Sequence, residues 1–210
     1  MKRGISGLYA VTPDSNDTPG LLAMVEAALA GGARLLQYRN KTASSALRLI
    51  QGRALLALCW EYQVPLIIND HLDLALALDV HLHLGAEDGQ LAEARDRLGP
   101  GKILGASCYR SLSTALDAQK AGADYVAFGG FFPSTVKTGM TARTPLSLLQ
   151  EAKQKISVPV VAIGGITIAY APQLVAAGAD SVAVITALFG APDVRAAARD
   201  FSTFFPRNEK

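Results

Sequence analysis

Short apolar runs alternate along the chain with longer stretches in which apolar residues return every third or fourth position. The first pattern is that of strands covered on both faces, the second that of amphipathic helices. Strands are expected over 8–11, 35–38, 66–68, 81–84, 103–106, 125–128, 160–163 and 181–184. Helices are expected between them, centred on 21–30, 43–61, 72–78, 91–98, 112–121, 145–155, 169–177 and 193–205. The alternation returns roughly every 25 residues, the length of a strand, a helix and two short connections.

Local echoes point to one repeated unit. Ala121-Gly122-Ala123-Asp124-Tyr125-Val126-Ala127 is matched by Ala177-Gly178-Ala179-Asp180-Ser181-Val182-Ala183, and Val64-Pro65-Leu66 by Val158-Pro159-Val160. In the first pair a glycine ends a helix just before a strand; in the second a proline opens a strand where no ladder donor is lost. Repeated strand-helix units of this kind close naturally into a single (β/α)8 TIM barrel, an α/β fold, with an open doubly wound sheet as the alternative. No linker or low-complexity tract divides the chain, so 1–210 reads as one domain with a frayed tail over about 206–210.

Composition narrows the function classes. Half of the residues are apolar, and 20 basic residues face 18 acidic ones with neither sign gathered in a stripe or tail. Neither nucleic acid nor a membrane surface is an expected partner on that balance. The N-terminal segment reaches Pro13 and Asp14 before a signal-type apolar core forms, and Glu26, Arg34 or glycines interrupt the longest apolar runs. Cys59 and Cys108 show neither metal spacing nor a disulfide framework, which suits a reducing, cytoplasmic setting.

The polar residues just past each expected strand carry the chemistry, because the C-terminal strand ends of such a barrel form one rim. Gln37, Arg39 and Lys41 alternate at the end of the second strand and so share a face, an arrangement suited to an anion, where the alternative is a pair of solvated charges. Thr42 or Ser44 is expected to cap the helix that follows. Asn69 and Asp70 follow the third strand, Gly85, Glu87 and Asp88 the fourth, Ser107 the fifth, and Ser134, Thr135 and Lys137 the sixth. Two carboxylates, Asp70 and Asp88, among cations suggest a hard ion carried with phosphate, Mg2+ first, although each also stands where a helix N-cap is expected. Gly164-Gly165, followed by an expected helix start at Ile166-Thr167, reads as a phosphate cup beside Ile185-Thr186, or else as a tight turn. Residues 129–143 form a long loop from which Lys137 can reach inward. His81 and His83 face the same side of one strand without a third ligand at metal spacing.

These residues resemble the thiamine-phosphate synthase family over nearly the whole chain. The resemblance rests on Gln37-Tyr38-Arg39-Asn40-Lys41, Asn69-Asp70, His83-Leu84-Gly85 with Glu87-Asp88, Gly105-Ala106-Ser107, Phe132-Pro133-Ser134 with Lys137, and Ile163-Gly164-Gly165-Ile166. The chain departs from the family pattern at Val136, Ala86 and His81. The resemblance implies a transferase that joins 4-amino-5-hydroxymethyl-2-methylpyrimidine diphosphate to 4-methyl-5-(2-hydroxyethyl)thiazole phosphate, releasing pyrophosphate with magnesium. It implies that Arg39, Lys41, Asn69, Ser107 and Lys137 hold the diphosphate, with Gln37 near the pyrimidine. Asp70 and Asp88 would bind magnesium, and Ser134, Gly165, Ile185 and Thr186 the thiazole phosphate. Small molecules are then the expected partners, with a homo-oligomer compatible. The competing reading is a sister barrel that isomerises or only binds thiazole phosphate, which has no use for a metal and three cations.

Overall fold

Strand and helix lengths follow where the sequence places its caps, its glycines and its changes of period. The computed structural model describes residues 4–85, 91–132 and 143–206. Its strands are β1 (Gly7–Val11), β2 (Leu35–Tyr38), β3 (Leu66–Asn69), β4 (His81–Gly85), β5 (Leu104–Tyr109), β6 (Tyr125–Gly129), β7 (Val160–Ile163) and β8 (Ser181–Val184). They pair in parallel, in chain order, and β8 returns to β1, so the sheet is a closed (β/α)8 barrel rather than an open wound sheet. Around it lie α1 (Thr18–Ala30), α2 (Ser45–Glu61), α3 (Leu72–Ala77), α4 (Leu91–Leu98), α5 (Leu112–Lys120), α6 (Ser147–Lys155), α7 (Ala171–Ala176), α8 (Thr186–Phe189) and α9 (Val194–Ser202).

Parity along the chain decides inside from outside. Register pairs join odd residues to odd residues, as in Tyr9 with Leu35, Gln37 with Ile67, His83 with Gly105 and Val161 with Ser181. Odd positions such as Tyr9, Leu35, Ile67, Tyr125 and Val161 fill the barrel interior. Even positions such as Leu36, Ile68, Leu82, Val126 and Val182 pack outward against the helices. Side chains alternate across a strand, so one shared parity gives two separate cores, a ring interior and a sheet–helix layer. Cys59 and Cys108 are buried in that outer layer and unbridged. Among the described residues no helix is long and apolar enough to cross a membrane.

The repeated unit has a repeated device. Gly122 and Gly178 take φ of 94° and 108°, a turn no other residue makes without strain. The aspartates that follow each do the same two jobs. Asp124 accepts the Leu104 amide at 2.9 Å and pairs with Arg95, while Asp180 accepts the Val160 amide at 2.8 Å and pairs with Lys153. Each carboxylate thus satisfies the first donor of a neighbouring strand and ties it to a helix.

The structure departs from the expected elements at a few ends. Ser44, not Thr42, caps α2, accepting the Leu47 amide at 3.2 Å. β5 runs past Ala106 to Tyr109 through a register shift after Ser107. α7 starts at Ala171 rather than at Ile166-Thr167, because Pro172 fits only the first turn of a helix and the residues before it form turns. A short helix, α8, follows β8 at once where no helix was expected.

Candidate functional site

At the C-terminal rim, β2 leads two cations to one corner. The strand stops at Tyr38, so strict alternation ends there. Gln37 points into the barrel, Arg39 comes over the mouth, and Lys41 is exposed in the loop beyond. Thr12 fixes the Arg39 backbone twice, its hydroxyl donating to the carbonyl at 2.9 Å and accepting from the amide at 2.9 Å. Asp14 then gathers both cationic residues, pairing with the Arg39 guanidinium at 3.3 Å and accepting the Lys41 amide at 2.7 Å. Between them Asn40 turns away into the protein, where its amide donates to Ser15 O at 2.6 Å and to buried Gln51 at 3.2 Å. Gln51 in turn accepts the Tyr38 hydroxyl at 2.7 Å and donates to Ser15 O and Thr18. The cations therefore ride on a loop whose polar groups are paired, a rigid support for a charged ligand.

The neighbouring carboxylate is held in an uncommon conformation. Asp70 has φ of 63°, its amide donates to His83 O at 2.9 Å, and its carboxylate accepts the Asn69 amide group at 2.6 Å. It does not cap α3, whose N-cap is His71 without a side-chain bond. The Asp70 carboxylate is therefore exposed at the rim and not used in capping. Asp88, the other expected ligand, lies outside the described residues, as do Ser134 and Lys137.

Beneath this rim runs a line of polar side chains that sequence reasoning did not connect. Gln37 Nε2 lies 2.9 Å from Tyr9 Oη, Tyr9 Oη 2.7 Å from Tyr125 Oη, Tyr125 Oη 2.8 Å from His83 Nδ1, and His83 Nε2 2.8 Å from Ser107 Oγ. The Tyr125 ring stacks on His83 and meets Tyr9 edge to face. Burial pushes both phenols above their ordinary range and holds His83 down to about 4, so the imidazole is neutral at neutral pH. The sequence signal was the parity of His83, Tyr9, Tyr125 and Gln37, all odd; the closure that brings the four strands together was missing.

His83 carries a pH dependence of stability. Its folded value of about 4 lies below the ordinary 6.5, so the unfolded chain binds the proton first as pH falls. The contribution is complete above pH 6.5 and declines toward pH 4, by about 3 kcal/mol. Urea unfolding of the parent and His83→Gln across that window is expected to show the extra loss only in the parent. Equal slopes would remove His83 as its source.

A second corner lies where β7 and β8 end side by side. Gly164 and Gly165 take φ of 105° and 66°, and a Cβ on Gly164 would lie 2.8 Å from Gly130 N. Next to them Ile185 precedes α8, whose first residue, Thr186, is exposed. Two left-handed glycines and a short helix after the eighth strand form the arrangement that commonly holds phosphate in such barrels. Gly165, Ile185 and Thr186 are thus brought together, whereas Arg39 and Lys41 follow β2, Asn69 ends β3, and Ser107 lies within β5 level with the end of β4, on the same rim.

Comparison with known proteins identifies the family and the fold. The family model described as thiamine monophosphate synthase matches residues 8–188. A thiamine-phosphate synthase of Nitrosomonas eutropha is 52% identical over 202 residues, 96% of this chain and 95% of that protein. One from Thiobacillus denitrificans is 54% identical over 206 residues, 98% of this chain and 97% of that one. Among solved structures, a thiamine phosphate pyrophosphorylase from Pyrococcus furiosus superposes with a TM-score of 0.82 at 36% identity, covering 94% of each chain.

Proposed function

Because the chain belongs to the thiamine monophosphate synthase family, we propose that this transferase condenses 4-amino-5-hydroxymethyl-2-methylpyrimidine diphosphate with 4-methyl-5-(2-hydroxyethyl)thiazole phosphate, giving thiamine phosphate and pyrophosphate. The reaction is a substitution in which the bond from the pyrimidine methylene carbon to the diphosphate oxygen breaks first. The electron-rich aminopyrimidine carries the resulting cation, and the thiazole nitrogen closes the new carbon–nitrogen bond. Charge separation is the barrier, so positive groups around the leaving oxygens matter more than a general base.

The observation that carries this reading is the corner in which Arg39 and Lys41 are both tied to Asp14 above Gln37. Arg39, Lys41, Asn69 and Ser107 bind the diphosphate, joined by Lys137; Gln37 serves the pyrimidine. Ser134, Gly165, Ile185 and Thr186 take the thiazole phosphate. Asp70 and Asp88 would hold magnesium, which when bound adds positive charge beside the departing pyrophosphate. The exposed Asp70 carboxylate, steadied by Asn69, suits such an ion. Two buried, unbridged thiols suit a cytoplasmic enzyme.

Purified protein given both heterocycles and magnesium is expected to release pyrophosphate in step with thiamine phosphate. Conversion of thiazole phosphate with no pyrophosphate released would favour the isomerising sister barrel instead. Product formation undiminished by a chelator would remove the metal role.

A further inference from the structure

The polar line across the barrel interior has a direction. In the structure the Gln37 amide nitrogen, not its oxygen, faces Tyr9 Oη, so the tyrosine accepts there. Either hydroxyl of the Tyr9–Tyr125 pair could donate, and the arrangement that leaves no buried proton without an acceptor sends the Tyr9 proton to Tyr125. Tyr125, having accepted, donates to His83 Nδ1, and the neutral ring then carries its proton on Nε2 and donates to Ser107 Oγ. The Ser107 hydroxyl, already accepting from within, keeps its hydrogen for the rim. A reversed Gln37 amide would turn every bond around and leave Ser107 donating inward, with lone pairs toward the ligand. An anion accepts hydrogen bonds and never donates them, so only the first direction serves a diphosphate.

We propose that His83 and Tyr125 are positioning residues, which hold the Ser107 hydroxyl as an outward hydrogen-bond donor to the leaving diphosphate. The inference rests on the function proposed above and deepens it. Nitrogen-15 NMR of histidine-labelled protein, with His83→Gln identifying the His83 signals, is expected to show the proton on Nε2. A ring protonated on Nδ1 instead would overturn the proposal.

Tyr125→Phe should lower kcat about tenfold, the loss of one aligned donor at a developing charge, with little change in KM for thiazole phosphate. In a Ser107→Ala background the same change should cost nothing further, because there is no hydroxyl left to align. A tenfold loss that persists in that background would mark Tyr125 as structural support only and overturn the positioning role. Calorimetric binding of pyrophosphate, weaker in Tyr125→Phe than in the parent, reads the same bond without turnover. A protein with the Nε2–H ring and that weakened binding, yet making no thiamine phosphate, supports the positioning role and overturns only the assigned reaction.

Discussion

Arg39→Ala is expected to lower kcat by about 10²–10³ while leaving the thermal unfolding temperature almost unchanged. The guanidinium sits at the mouth with its side chain 17% exposed, aimed by a doubly bonded backbone and by Asp14. In the proposed reaction the charge on the diphosphate grows as it departs, and a fixed cation there would stabilise the transition state more than the bound substrate. The substitution also strands Asp14, whose carboxylate would then face the anion with no counter-charge of its own. Asp14→Asn added to Arg39→Ala should therefore recover part of the loss. The fold should survive, since an ion pair this near the surface contributes only about 0–1 kcal/mol. Steady-state pyrophosphate release with parallel circular-dichroism melts decides the matter. An Arg39→Ala enzyme within a few fold of the parent, on an intact fold, would withdraw Arg39 from the diphosphate site.

Gly105→Ala is expected to be among the most damaging single-carbon additions to this protein. A Cβ there would overlap the hydroxyl edge of the Tyr125 ring, which is fully buried and held between Tyr9 and His83. The ring has nowhere to swing, so β5 and β6 must part or Tyr125 must leave its hydrogen bonds. Overpacking of this kind costs about 3 kcal/mol, with the broken interior bonds added to it. Gly101→Ala is the matched control, because a Cβ at that position meets nothing within 4 Å. Urea midpoints should fall sharply for the first and barely move for the second. If Gly105→Ala cost under about 1 kcal/mol, the packing account of the interior layer would be wrong.

Local chemistry made most of this legible beforehand. Continuous apolar runs, helix-ending glycines such as Gly122 and Gly178, and strand-opening prolines marked all eight strands within a few residues. The cations after β2 were legible in part: strand parity carries Gln37 inward, but the strand ends at Tyr38, and Arg39 is set over the mouth by Thr12 and Asp14. What stayed hidden depends on long-range closure. His83 meets Tyr125, Tyr9 and Ser107 only because β4, β6, β1 and β5 face one another across a closed ring. Nothing near His83 in the chain names those partners. Asp14 read as no more than a polar break after β1, yet it organises the cationic corner from 25 and 27 residues away. Helix α8 escaped notice because its four residues are too few to show a period.

The single parity shared by the strands, broken only at the rim end of β5, limits how this chain can change in length. Losing or gaining one residue within a strand would push its ring-facing side chains into the helix layer and bring aliphatic ones to the centre. In mid-strand neighbouring strands could not compensate, as each is bonded to two others in a loop without free edges; the one extra residue the barrel takes up lies at the rim end of β5. Insertions and deletions should therefore collect in the connections, where the rim can be remodelled while the wall beneath it keeps its count.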